Sequence, residues 1–98
     1  MTPEELERTV RAFMESDLKL MMRKNHDYSA AEDALSNFRD FGWRGVVVRI
    51  GDKYNRLKEI AKGKKPKNES VVDSLIDIRI YSYIGEAIFM EGIKEEDE

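Results

Sequence analysis

Three carboxylates recur at intervals of four residues in the last third of the chain: Glu69, Asp73 and Asp77. If this segment is helical, the spacing places them along one side of an otherwise apolar helix. Burying such charges is costly unless they are paired or bind a cation. Two hypotheses follow. In the first, Glu69 only lies at the helix start and the aspartates pair with arginines. In the second, the three acids bind a hard divalent cation, Mg²⁺ or Mn²⁺.

A second charged group precedes these acids, and it could complement them. Arg49, Asp52 and Arg56 are spaced i, i+3 and i+7, which puts them on one helix face with Lys53 beside it. A short loop makes the two helices antiparallel neighbours, so this face could lie across from the acids. Asp52 would then add a metal-binding carboxylate, and the basic side chains could bind phosphate oxygens. The alternative is a solvated surface with pairs such as Asp52 and Arg56.

A third polar cluster, Lys24, Asn25, Asp27 and Tyr28, interrupts the apolar spacing of the first helix. We predict that this segment is a loop, because polar and turn-forming residues run from 24 to 30. Its donors, acceptor and aromatic ring could recognise a base or a sugar. More simply, Lys24 and Asn25 end the first helix and Tyr28 packs on the core.

The composition excludes several classes of site. The chain has no cysteine, which rules out disulfides and thiolate chemistry, and its lone histidine, His26, is given no role. The net charge of −3 argues against binding to long nucleic acids. A charged N-terminus and the acids within the most apolar segment predict a cytoplasmic protein with no signal peptide and no membrane contact.

Helical spacing dominates the whole chain and predicts an all-α fold. Thr2 and Glu5 form a capping box for a helix over residues 3–23, and a shorter helix is predicted near 31–38. Three consecutive valines from Val46 favour a strand by propensity. The helical spacing of the following apolar residues is stronger evidence, and Gly63 suits a helix end. That apolar face comprises Val47, Ile50, Tyr54, Leu57 and Ile60.

The last helix is predicted over residues 69–90, with Asn68 as its N-cap. Its apolar residues cover nearly all sides, which indicates burial against several helices or against a partner subunit. Phe38, Phe41 and Trp43 are expected in the core. The expected architecture is a small antiparallel bundle of about four helices, a single domain over 1–94 with an acidic frayed tail at 95–98, completed by oligomerisation.

Read together, the polar clusters resemble a known family. The motifs are Lys24-Asn25-x-Asp27-Tyr28, Arg49-Ile50-x-Asp52-Lys53-x-x-Arg56-Leu57 and Glu69-x-x-x-Asp73-Ser74-Leu75-x-Asp77-x-x-x-Tyr81. Their order over residues 24–84 resembles the nucleotide-modification-associated domain family of phages, prophages and bacteria. That family is similar to the all-α nucleoside triphosphate pyrophosphohydrolases of the MazG and dimeric dUTPase type.

The resemblance implies Mg²⁺-dependent cleavage of a nucleoside triphosphate to monophosphate and pyrophosphate by a dimer or tetramer. It implies catalytic and metal roles for Asp52, Asp73 and Asp77, a further metal role for Glu69, and phosphate roles for Lys53 and for Arg56. Two departures weaken the hydrolase hypothesis. The earlier helix has Arg49-x-x-Asp52 where the MazG pattern has Glu-x-x-Glu, and the later acids are four residues apart instead of three. The alternatives are a non-catalytic nucleotide-binding module and a structural helical interaction domain.

Overall fold

The computed structural model describes residues 1–28, 33–65 and 70–97, with side chains described outside 25–28 and 94–97. Three α-helices follow one another, α1 (Pro3–Tyr28), α2 (Gly42–Ala61) and α3 (Val71–Asp97), and a 3₁₀ turn, Ser36–Phe38, precedes α2. No strand occurs in these ranges. The all-α prediction is therefore confirmed, whereas the predicted fourth helix is reduced to the 3₁₀ turn over the described part of 31–38.

The capping box of α1 is confirmed. The backbone N–H of Glu5 donates to Thr2 Oγ1 at 3.1 Å, and Glu5 accepts a bond from the backbone N–H of Thr2 at 3.3 Å. The predicted end at residue 23 is wrong, since α1 continues to Tyr28. Residues 24–28 contain neither glycine nor proline, so nothing there forces the helix to end.

The valines that favoured a strand lie in α2, so the helical prediction is correct there. Ile50, Leu57 and Ile60 lie on its less exposed face as predicted, whereas the other two predicted residues are one position out of place. Val46 is 2% exposed, while Val47 and Tyr54 are 54% and 56% exposed. The less exposed face of α2 instead comprises Val46, Ile50, Lys53, Leu57 and Ile60.

Gly63 ends α2 as predicted. It has φ of +101°, a left-handed conformation that glycine adopts without the Cβ clash. Its N–H donates to the carbonyl of Ile60 at 3.0 Å, and the N–H of Lys64 donates to that of Glu59 at 3.2 Å. This pair of bonds is a Schellman motif, which satisfies two of the last carbonyls of the helix.

Helices α2 and α3 pack antiparallel along their length. Near one end Trp43 meets Phe89 edge-on, with ring centroids 5.7 Å apart. In the middle, a Cβ added to Gly85 would lie 3.2 Å from Val46 Cγ1, so this glycine lets the helices approach closely. Phe41, predicted to be core, is instead 77% exposed at the N-cap of α2.

Helix α3 is longer than predicted. It extends to Asp97, so the backbone of residues 95–97, expected to be frayed, is helical. Glutamate and lysine are good helix formers, which accounts for the continuation. None of the helices, over the residues described, is both long and apolar enough to cross a membrane.

An ion pair with a buried carboxylate attaches α1 to α3. Arg79 donates to Asp17 through Nε at 2.6 Å and Nη2 at 2.9 Å, in the two-point geometry that suits a guanidinium and a carboxylate. Asp17 is only 4% exposed. The hydrogen bond to this carboxylate raises the pKa of Arg79. Sequence reasoning missed Asp17, although its position among Phe13, Met14 and Leu18 on the apolar side was a usable signal.

Arg39 ties the turn before α2 to the end of α3, and its pairing predicts a pH effect. Arg39 donates to both oxygens of Asp33 at 3.0 Å and also pairs with Glu91. The bond from Arg39, followed by one from the backbone N–H of Leu35, lowers the pKa of Asp33 below 3.8. A carboxyl group with a lowered folded-state pKa contributes stability above its unfolded pKa and loses it as pH falls through the folded value.

We therefore expect the stability difference between the native protein and Arg39→Ala to be present at pH 7 and to shrink below about pH 4. Urea unfolding at several pH values measures it. The pair of Glu59 with Lys64, which also lowers a carboxyl pKa, is retained in both proteins and cancels from the difference. A difference that stays constant from pH 7 to pH 3 would contradict the assignment.

Candidate functional site

Asp73 lies at the start of α3, where its carboxylate caps the helix. The backbone N–H of Asp73 donates to Ser70 Oγ at 3.0 Å. The Asp73 carboxylate in turn accepts from Ser70 Oγ at 2.8 Å and from the Ser70 backbone N–H at 3.2 Å. This reciprocal arrangement is a capping box with aspartate in place of glutamate. Ser70 thus caps α3, and the predicted cap Asn68 lies outside the described residues.

Asp77 lies where all three helices meet. One of its oxygens is 2.9 Å from Lys53 Nζ on α2, and the other is 3.9 Å from Lys24 Nζ on α1. The Asp77 and Lys53 side chains are mostly buried, with 21% and 18% exposed, whereas that of Lys24 is 51% exposed. Asp77 therefore pairs with lysines, not with the arginines considered in the ion-pair hypothesis.

The three groups differ in what they can offer a ligand. Lys53 is fixed by its short contact with Asp77, and it has a further interaction besides. Lys24 is held only loosely and remains half exposed, so its ammonium group can turn toward an anion at little cost. We call Lys24, Lys53 and Asp77 the lysine–aspartate cluster.

A large apolar cleft opens beside this cluster, between α1, α3 and the 3₁₀ turn. Its volume is about 900 Å³, which lies within the range of small-molecule sites. Lys24 and Asp77 line one part of it, together with Met21 and Tyr81, each one helical turn from one of them. The remaining wall is largely apolar and is formed by Met14, Leu18, Met22, Leu35, Phe38, Ile80, Tyr83, Ile84 and Ala87, with Glu15, Ala34 and Asn37.

The other predicted site residues lie away from the cleft or outside the described side chains. Arg49, Asp52 and Arg56 are exposed on α2 and do not line it, and Arg56 has an interaction of its own. Asn25, Asp27 and Tyr28 occupy the last turn of α1 instead of a loop, and their side chains are not among those described. Glu69 also falls outside the described residues.

The carboxylates of the predicted metal site that are described are separate from one another or already paired. No group of three or more aspartate, glutamate or histidine residues converges in the part of the chain that is described. Both oxygens of Asp77 face ammonium groups, and the carboxylate of Asp73 accepts two bonds from Ser70. These acids are thus engaged in contacts that a divalent cation would have to displace.

The chain matches no protein-family model, and no curated protein or solved structure is significantly similar to it.

Proposed function

We propose that this protein binds a nucleoside phosphate at the end of the cleft formed by Lys24, Asp77, Met21 and Tyr81. The observation that carries the proposal is the half-exposed lysine side chain of Lys24 on the wall of a largely apolar cleft. Such a site suits a ligand with an anionic group and a planar, largely apolar group. A nucleotide has both, and the family resemblance of the polar motifs points to the same ligand class.

Each residue at this end has a distinct role. Lys24 contacts a phosphate oxygen as a point charge. The half-buried ring of Tyr81 and the side chain of Met21 provide apolar surface for the base. Asp77 pairs with Lys53 and, more loosely, with Lys24, so it competes with the ligand for the Lys24 ammonium group.

A second candidate is the Mg²⁺-dependent pyrophosphohydrolase activity implied by the resemblance. It is favoured by one observation, a carboxylate on the cleft wall beside the proposed phosphate ligand. Because the described side chains form no metal-ligand set, we derive no catalytic step from them. Triphosphate cleavage and a relationship of this protein to phage proteins remain proposals that rest on the resemblance. A homo-oligomeric working unit is a proposal that rests on the resemblance and on the exposed apolar surface.

One experiment separates the two candidates. The full chain is incubated with ribo- and deoxyribonucleoside triphosphates in Mg²⁺, Mn²⁺ or EDTA, while calorimetry measures binding and anion exchange resolves the products. The binding module predicts affinity in EDTA without turnover. The hydrolase predicts monophosphate and pyrophosphate only with metal. If no nucleotide binds under any condition, the protein is better described as a structural interaction domain.

Asp77→Asn sharpens this comparison. In the binding module this change removes the competing carboxylate from Lys24, so nucleotide affinity in EDTA should be retained or increased. In the hydrolase it should abolish metal-dependent turnover. Asp40→Asn, at an exposed aspartate before α2 that does not line the cleft, is the matched control and should change neither quantity.

A further inference from the structure

The first half of α1 is an amphipathic helix whose apolar side is largely exposed. Every residue from 1 to 16 except Thr9 is exposed. Leu6, Val10 and Phe13 recur at intervals of four and three residues, and they are 53%, 43% and 52% exposed. They therefore form one continuous apolar stripe. We call residues 3–13 the arm.

The total surface area is too large for a single compact chain of this mass. Folded monomers of 11.4 kDa expose about 5,800 Å², whereas this chain exposes 7975 Å². Its radius of gyration is 15.7 Å, against about 12.6 Å for a compact domain of this length. The excess of about 2,200 Å² exceeds the roughly 800 Å² that each partner buries in a standard interface. This excess area per chain is comparable with the area that each subunit buries in an obligate homodimer.

The cleft offers a surface of matching character. Beyond Lys24 and Asp77 its wall is largely apolar, and two of its α1 residues, Met14 and Leu18, are still 52% and 55% exposed. The arm belongs to the same helix as this wall. A two-fold arrangement can therefore seat each arm in the other chain's cleft, with both contacts made by identical surfaces.

We propose that two copies of this chain form a symmetric dimer in which the arm of each packs into the apolar part of the other's cleft. Both apolar surfaces are then removed from water, and the lysine–aspartate cluster remains at the open end. The dimer does not depend on nucleotide binding. All of its tests use the protein without nucleotide, so failure of one proposal is distinguishable from failure of the other.

The first test compares Val10→Glu with Val48→Glu by analytical ultracentrifugation of the full chain. Val48 lies on the outer side of α2 and is 65% exposed, so the same chemical change there serves as the control. The native protein and Val48→Glu should sediment as dimers. Val10→Glu should weaken dimerisation by roughly 30-fold or more, as expected when a central apolar contact is lost. A native monomer, or equal effects of the two substitutions, would overturn the proposal.

A second test introduces no charged residue into the arm. A photoreactive benzoylphenylalanine replaces Phe13 in one protein and Phe41 in another, both exposed phenylalanines. Irradiation should yield covalent dimers only from position 13, attached to cleft residues such as Leu18 or Ile84 of the partner. Cross-links confined to the same chain, or equal yields from position 41, would show that the arm does not enter a second copy.

Discussion

Replacing Asp17 with alanine will lower the free energy of unfolding by about 3 kcal/mol and release α1 from α3. The carboxylate is almost fully buried and accepts two bonds from Arg79. Its removal leaves a guanidinium with no carboxylate in a mainly apolar contact between helices. The Arg79 side chain is 38% exposed and can partly rehydrate, which places the effect at the lower end of the range for buried pairs. Urea denaturation measures the loss.

The matched control is Glu7→Ala, on the same helix. Glu7 also pairs with an arginine, Arg11, at 3.1 Å, but both side chains are mostly exposed. This pair should contribute less than about 0.5 kcal/mol. A double-mutant cycle with Arg79→Ala separates the ion pair from the packing of either side chain. If Asp17→Ala destabilises no more than Glu7→Ala does, the ion pair does not hold α1 in place.

The cleft adds a second consequence of the Asp17 change. Met14 and Leu18 line the cleft from α1, on either side of Asp17 in the sequence. Loss of the ion pair should therefore open the cleft, and amide exchange should accelerate in α1 before it does in α2. This prediction links the stability of one ion pair to the integrity of the candidate binding site.

Local sequence rules predicted the helices well because their signals are contained in a few residues. The capping box at Thr2 forms, and Gly63 ends α2, as the sequence indicated. The ends of α1 and α3 were less predictable, because no glycine or proline stops those helices at the expected residues. Helix ends without a strong stop signal depend on contacts that the local sequence does not encode.

The candidate site was predictable only in part, because it depends on which face of each helix meets its neighbour. The apolar spacing of α2 predicted a face with Val47 and Tyr54, whereas the observed face has Val46, close to Gly85, and Lys53. This face turns Lys53 toward Asp77 and leaves Arg49 and Asp52 exposed. The face that α2 turns toward α3 therefore decides which of its charged residues lie near the cleft.

Nucleotide affinity should fall by roughly 10- to 100-fold when Lys24 is replaced by methionine, if the proposed site is correct. The substitution keeps the length and apolar character of the side chain while it removes the phosphate-binding charge. The effect should be largest at low ionic strength, because a half-exposed ammonium group is screened by salt. Calorimetric titration in EDTA at two salt concentrations measures both quantities.

Lys19→Met provides the closest control on the same helix. Lys19 makes a loose ion pair with Glu15 at 3.7 Å, as Lys24 does with Asp77 at 3.9 Å, but it is 78% exposed and does not line the cleft. The two variants change the net charge equally, so a general electrostatic attraction of nucleotides would weaken equally in both. A loss confined to Lys24→Met locates the phosphate at the cleft. Equal losses would show that nucleotides associate only with the overall charge of the protein, and the proposed site would then be wrong.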